Sequence, residues 1–346
     1  MDILDLLNRS SREKLITYQG RTLTQHEFAD CVKVFCEKLR GLATNGFVTI
    51  REEHPVRFYA LMFALWNSGI RVVCPTRDYL SGTVDLPMCE YEVWANGEDV
   101  MVARNPVFRQ ISVDDRIDTV VFSSGSTGSP KGIAHNRLHL LQNATNVAST
   151  LGFTEHVSIT PLKPYLVSAI SHFLVHYLSN AHLIFIDYEK IDEIGKYYNT
   201  DPNIALVGSP MHLITGAQYI GADAMPLFFF SSGDFMPAQY IERLLLNYSE
   251  AVYFNVYGLA ELGGRFFINR IDKKTPYDKY NIIGQNIYGT EFKIVNGELQ
   301  VRSDFNFFGY LKEEKFYPSS DFHPTGDLAL EIKDGIILSG RQDDEI

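Results

Sequence analysis

The sequence predicts an α/β protein: mostly parallel sheets flanked by helices in two subdomains, plus a small antiparallel, β-barrel-like subdomain near the carboxy terminus. Three observations carry this reading. Between residues 115 and 280, short continuous apolar runs alternate with helical segments, the pattern of strands covered on both faces. After about residue 281, polar and apolar residues alternate around Asn296-Gly297 and Asp334-Gly335, dipeptides suited to two-residue hairpins. The length of 346 residues allows a large core shared by two or three subdomains. Their approximate divisions are 1–105, 106–280 and 281–340.

In chain order, residues 15–23 read as a short hairpin with Gly20 at its turn. A helix over 24–42 follows, opened by Thr24 with Glu27 three residues on, the spacing of a capping box. Residues 56–68 read as a second helix, and Val72-Val73-Cys74-Pro75 as a strand stopped by proline, which cannot donate to a ladder. Residues 119–122 are an apolar run of strand length. Beyond them Leu140, Ala144, Val147 and Leu151 recur at helical steps. Further strands are expected at 183–186, 205–207, 227–230 and 252–254, and hairpins at 291–301 and 328–338.

Composition narrows the function classes. The net charge is −11 with 31 basic residues, and no Lys/Arg cluster offers a surface for nucleic acid or anionic lipid. No apolar stretch approaches membrane-spanning length, and Met1-Asp2-Ile3-Leu4-Asp5 does not open a signal peptide. A cytoplasmic protein without a membrane or nucleic-acid partner is expected. The four cysteines lack zinc-ligand spacing, and the ten histidines form no metal-binding motif.

The most informative stretch runs from Val120 to Gly132. After the apolar run come Ser123, Ser124, Gly125, Ser126, Thr127, Gly128 and Ser129, then Pro130, Lys131 and Gly132. Glycines let a backbone approach phosphate oxygens, N–H and O–H groups donate to them, and a lysine offsets their charge. The string is not a Walker loop, because Pro130 stands where that motif needs glycine before its lysine. Taken alone, an ordinary Ser/Gly surface loop is the competing reading.

The string resembles the phosphate loop of the adenylate-forming superfamily of acyl-CoA synthetases, luciferases and peptide-synthetase adenylation domains. Four further strings are similar in the expected order. Ile16 to Thr24 resembles the family's amino-terminal entry. Ser231-Ser232-Gly233-Asp234 resembles its turn beside adenine, and Asn255-Val256-Tyr257-Gly258-Leu259-Ala260-Glu261 its central motif. Pro324-Thr325-Gly326-Asp327 continues to Gly340-Arg341-Gln342-Asp343-Asp344.

The resemblance implies the large amino-terminal domain of that superfamily, with ATP, Mg2+ and coenzyme A or a phosphopantetheine-bearing carrier protein as co-substrates. It assigns catalysis to Lys131 and Glu261, the latter meeting the metal. Residues 123–128, Lys131, Gly233, Asp234, Asn255, Tyr257, Gly258, Ala260, Asp327 and Arg341 would hold the nucleotide. Tyr257 would stack on adenine, while Asp327 and Arg341 would take the ribose. The expected acid pocket is Tyr165, Val167, Ser171, Ser232, Gly258 and Leu259.

Two departures bear on function. Ala260 replaces the usual threonine, as in aryl-acid-activating members. Family members also continue past the hinge position, here Asp343, into a small domain carrying a lysine for adenylation, so the chain is expected to end at that hinge. Matching Asn180-Ala181 to the family's Gly-Ala places Val167 where amino-acid activators carry aspartate. Between residues 151 and 186 the only acidic residue is Glu155. An aryl or acyl acid without an α-amino group is therefore expected, because a buried ammonium needs a counter-charge. The alternatives are an amino-acid-activating domain and a nucleotide-binding module without turnover.

Overall fold

The computed structural model describes residues 3–8, 11, 13–122, 131–151, 157–198, 204–221, 227–312 and 315–342. Its strands form three sheets of nine, eight and four strands. In the nine-stranded sheet, Val157–Thr160, His182–Phe185, Ile204–Gly208, Leu227–Ser232 and Val252–Tyr257 run parallel. Phe267–Ile271 and Gln285–Asn286 continue it antiparallel.

The other edge of this sheet comes from far upstream. Lys14–Tyr18 pairs parallel with His182–Phe185, and Arg21–Thr24 turns back on it through Gln19 and Gly20, both with positive φ. The expected hairpin is present, yet it joins the later strands rather than those of 1–105. Thr24 then caps the Gln25–Lys38 helix. Its side chain accepts from the Glu27 N–H, and the Glu27 carboxylate accepts from the Thr24 N–H at 2.7 Å. The helix is shorter than expected, ending before residue 42.

The eight-stranded sheet is mixed. Phe47–Ile50, Val72–Val73, Cys89–Asn96 and Thr119–Phe122 pair parallel. Asp99–Arg104 is antiparallel at one edge, while Gly132–His135, Gly309–Lys312 and Lys315–Pro318 are antiparallel at the other. Two expectations change here. The sequence suggested that the phosphate loop leads directly into a helix. Instead Gly132–His135 intervenes as a strand with Phe122 opposite Gly132, and the helix Arg137–Leu151 comes after it. Gly132-Ile133-Ala134-His135, four residues between a glycine-rich string and a helix, are too few to display a period. Gly309–Lys312 also belongs to this sheet, so the division near 281 separates the sheets only in part.

The four-stranded sheet is antiparallel and open, ordered Thr290–Val295, Glu298–Ser303, His323–Ile332, Gly335–Arg341. The first hairpin turns at Asn296-Gly297 as expected, whereas the second turns one residue early at Lys333-Asp334, with Gly335 already in the returning strand and paired with Ile332; the strands do not close into a barrel.

One apolar core joins the two large sheets through helices. Pro55–Asn67 is buried over most of its length. Its Tyr59 stacks on Phe173 of the Val167–Leu178 helix with ring centres 3.9 Å apart, and Phe28, Phe63 and Tyr177 close around the pair. Aromatic pairs of this kind add to the gain from area alone. No helix among the described residues is long and apolar enough to cross a membrane. Replacing Thr24 with alanine should lower stability by about 1 kcal/mol, through loss of the cap. Urea unfolding of the variant checks this, and an unchanged midpoint would show that the cap is redundant.

Candidate active site

The central motif lies where a strand of the nine-stranded sheet ends. Val252–Tyr257 places Asn255 beside Ser231 and Asn269, and the chain then reverses through the short 3-10 turn Ala260–Leu262. The reversal is very tight. A β-carbon on Gly258 would stand 2.0 Å from the Gly264 carbonyl oxygen and 2.7 Å from the Arg265 α-carbon. Only glycine fits there, and Gly264 itself adopts φ +117.

Side chains from the Arg137–Leu151 helix and the Gly132–His135 strand hold this segment. Asn143 donates to the carbonyls of Leu262 and Arg265 at 3.0 and 2.9 Å. His135 Nε2 lies 2.7 Å from the Ala260 carbonyl. A carbonyl can only accept, so Nε2 carries the proton. His135 is fully buried, and burial lowers its pKa to about 4, which keeps the ring neutral.

Glu261 leaves the turn half-buried. Tyr310 Oη donates to its Oε1 at 2.7 Å, and its backbone carbonyl accepts from Phe307 N–H at 2.9 Å. Tyr310 stands opposite Ile133 on the neighbouring strand, and His323 Nε2 is 3.5 Å from the Tyr310 hydroxyl. Burial, then the Glu261 charge, pushes the Tyr310 phenol up, so it stays protonated and can only donate to that carboxylate. A single carboxylate with one oxygen already hydrogen-bonded suits Mg2+, which takes one or two carboxylates together with substrate phosphates. No cluster of three or more metal-ligating side chains exists among the described residues.

Tyr257 Oη donates to Asp327 Oδ2 at 2.6 Å, and Arg341 approaches Asp327 Oδ1 at 3.5 Å from the paired strand. Burial raises the Asp327 pKa, while the Tyr257 hydrogen bond and the Arg341 charge oppose that rise. Asp327 is thus 7% exposed, whereas Arg341 reaches solvent. The structure brings together Tyr257, Asp327 and Arg341, which are 84 residues apart in sequence at the extremes (341 − 257).

Among the remaining expected residues, Gly233 and Asp234 form an exposed turn with Gly233 at φ +91, where Asp234 Oδ1 accepts from Phe235 N–H. Ser232 sits opposite Val256 with its hydroxyl buried and unpaired. Leu259 precedes the 3-10 turn and packs on the core beneath the small sheet. Val167 and Ser171 lie beside the reversal: a β-carbon on Gly264 would meet Ser171 Cβ at 3.2 Å and Val167 Cγ1 at 3.5 Å. Tyr165 is buried in the main core, in the same cluster as Val167. Lys131 is exposed immediately before the Gly132–His135 strand. Residues 123–130 and Asp343 lie outside the described residues, as does Glu155.

Sequence reasoning missed His135, Asn143, Tyr310, His323 and Arg265. The first four act on the site over long sequence separations without a local signature. Arg265 did leave one, a lone cation between two glycines and the apolar Phe266-Phe267-Ile268.

Comparison with known proteins bears on this arrangement. Residues 82–311 match the family described as AMP-binding enzyme. The chain is 23% identical over 258 residues to 2-succinylbenzoate–CoA ligase of Haemophilus influenzae, covering 68% of this chain and 51% of that protein. It is 29% identical over 260 residues to D-alanine–D-alanyl carrier protein ligase of Staphylococcus haemolyticus, covering 68% and 52%. Thus the chain spans about half the length of these relatives. Its fold superposes on o-succinylbenzoate coenzyme A synthetase of Bacillus subtilis in complex with AMP with a TM-score of 0.80, at 15% identity, over 99% of this chain and 78% of that one.

The buried imidazole at the turn gives a pH prediction. The unfolded chain takes up a proton at His135 near pH 6.5, whereas the folded ring resists protonation down to about 4. Stability should therefore decline as pH falls from 6.5 towards 4, by roughly 3 kcal/mol from this residue. Denaturation measured across that range should flatten in His135→Gln, and an equally steep decline in the variant would place the proton uptake elsewhere.

Proposed function

The chain belongs to the AMP-binding enzyme family, and on that premise we propose that it activates a carboxylic acid with ATP as an acyl-adenylate. The observation carrying the proposal is the Tyr257–Arg265 reversal. This one rigid segment presents an aromatic hydroxyl to Asp327, a carboxylate to Tyr310, and a glycine backbone beside Val167 and Ser171. Nucleotide, phosphates and acid would then meet along nine residues.

The acid's carboxylate attacks the α-phosphorus of ATP, the bond to the β-phosphate oxygen breaks, and pyrophosphate leaves. A free carboxylate is a poor acyl donor, since its leaving group would be oxide, and the mixed anhydride removes that obstacle. Both reactants are anions, so the protein's task is placement and charge dispersal. Lys131 and residues 123–128 take the departing pyrophosphate. Asp327 and Arg341 hold the ribose, and Tyr257 with Gly233, Asp234 and Asn255 frames the base. Glu261 would hold Mg2+, which would neutralise phosphate charge when bound. Tyr310 aims the Glu261 carboxylate through its hydroxyl hydrogen bond.

Transfer of the acyl group to coenzyme A or a carrier-protein thiol is the expected next step. In this family it depends on a mobile small domain that would turn about the Asp343 position. ATP and coenzyme A as co-substrates fit a cytoplasmic setting. The acid lacks an α-ammonium group, with aryl acids favoured. Val167 opens its helix 9% exposed against Gly264, where a carboxylate would be needed to pair an ammonium.

Exchange of labelled pyrophosphate into ATP should be measured with panels of aryl, fatty and amino acids. Exchange stimulated by aryl or fatty acids is expected, and stimulation by amino acids alone would overturn the substrate class. Glu261→Gln should reduce acid-dependent exchange by roughly a hundredfold without unfolding the protein. Undiminished exchange with the same magnesium dependence would remove Glu261 from the metal site.

A further inference from the structure

Arg265 is the least expected side chain in the core. It is 2% exposed and among the largest fully buried side chains of the molecule. Neither Nη1 nor Nη2 has a hydrogen-bond partner among the described residues. Burial alone acts on its acidity, lowering the pKa to about 9. No carboxylate among the described residues counters that effect, and the group remains a cation at neutral pH.

A buried guanidinium without an anion is a costly arrangement for a fold to keep. Its planar fork of donors is well shaped for a carboxylate. The surroundings share the same lack of partners. The Ser171 hydroxyl and His172 Nδ1 are also buried and unpaired. Burial, and then the Arg265 charge, hold His172 neutral, so no second cation competes for an anion. The backbone is fixed as well, since Asn143 donates to the Arg265 carbonyl.

The position of Arg265 ties it to the acid pocket. Its α-carbon backs onto Gly258, and the adjoining Gly264 touches Ser171 and Val167. Resting on the reading of the chain as an acid-activating enzyme, we propose that Arg265 is the specificity residue for a second carboxylate, making the substrate a dicarboxylic acid. One carboxylate would be adenylated while the other is held by the Arg265 fork, with Ser171 as an additional donor. A cation there would also repel an ammonium-bearing substrate, independently of Val167.

Calorimetry tests this with acids of matched skeleton: benzoate against phthalate, isophthalate and terephthalate, and hexanoate against adipate. ATP binding should be measured alongside. At least one diacid is expected to bind about 30-fold or more tightly than its monoacid counterpart. Arg265→Met should erase that preference while leaving ATP affinity unchanged, and Arg265→Lys should retain part of it. Equal or tighter binding of every monoacid to the unmodified protein overturns the proposal whether or not the variants fold. A diacid preference that survives in Arg265→Met overturns it too, as does loss of ATP affinity with acid affinity intact. If ATP binds but no acid does, the acid-activation reading itself fails and the inference falls with it.

Discussion

Gly258 and the Gly264–Arg265 backbone are too close for any side chain to stand between them, and the site is organised around that contact. Because the strand Val252–Tyr257 must reverse so sharply, the residues before and after the turn share one small volume. Tyr257 meets Asp327 of the four-stranded sheet, Glu261 meets Tyr310 of the eight-stranded sheet, and Arg265 is buried. Nothing in this segment repeats like a helix or strand, so its geometry needs outside support. His135 and Asn143 supply it by holding three of its carbonyls. Buried carbonyls are nearly always paired, and here the partners also set the shape of the turn.

The three sheets meet at this turn through polar contacts that differ in character. The Tyr257–Asp327 hydrogen bond is short and shielded, and Arg341 completes it from the solvent side. Tyr310–Glu261, at 2.7 Å, joins the turn to the Gly309–Lys312 and Gly132–His135 strand pair, which Lys131 immediately precedes. Each uses a tyrosine hydroxyl as donor to a carboxylate, and burial raises both phenols so that neither gives up its proton. Charge-assisted hydrogen bonds of this kind are stronger than neutral ones and more directional. The carboxylates are consequently aimed by groups that remain uncharged.

Much of this was legible in the sequence. Short apolar runs announced the parallel strands, and Asn296-Gly297 and Asp334-Gly335 marked both hairpins of the small sheet, the second to within one residue. The ordered strings around Tyr257, Asp327 and Arg341 pointed to residues that the fold does bring together. Other features were hidden for physical reasons. Gly132–His135 is too short to display a period, and its strand character comes from pairing with Thr119–Phe122 and Gly309–Lys312. Whether the small sheet closes depends on edge pairing, which alternation does not encode. Tyr165 and Val167 both pack into the main core, and their position along the chain says nothing of the neighbours they meet there. Tyr310, His323 and Asn143 influence the site across more than a hundred residues or through another sheet, and composition is silent about such contacts.

The first hairpin has a consequence for how the chain is made. Lys14–Tyr18 takes its place in the nine-stranded sheet only against His182–Phe185, and the Thr17 and His182 side chains that touch there are 165 residues apart. At ribosomal rates of roughly 5–20 residues per second, the hairpin waits about ten to thirty seconds for its partner to be synthesised. During that interval Leu15 and Ile16, both fully buried in the finished fold, have no sheet to enter, and the ladder edge of their strand is open to other chains. Successful maturation therefore depends on timing as much as on final energy. Slow elongation between the two segments, or a scarcity of chaperones that cover nascent strands, would reduce the yield of folded molecules without altering their stability.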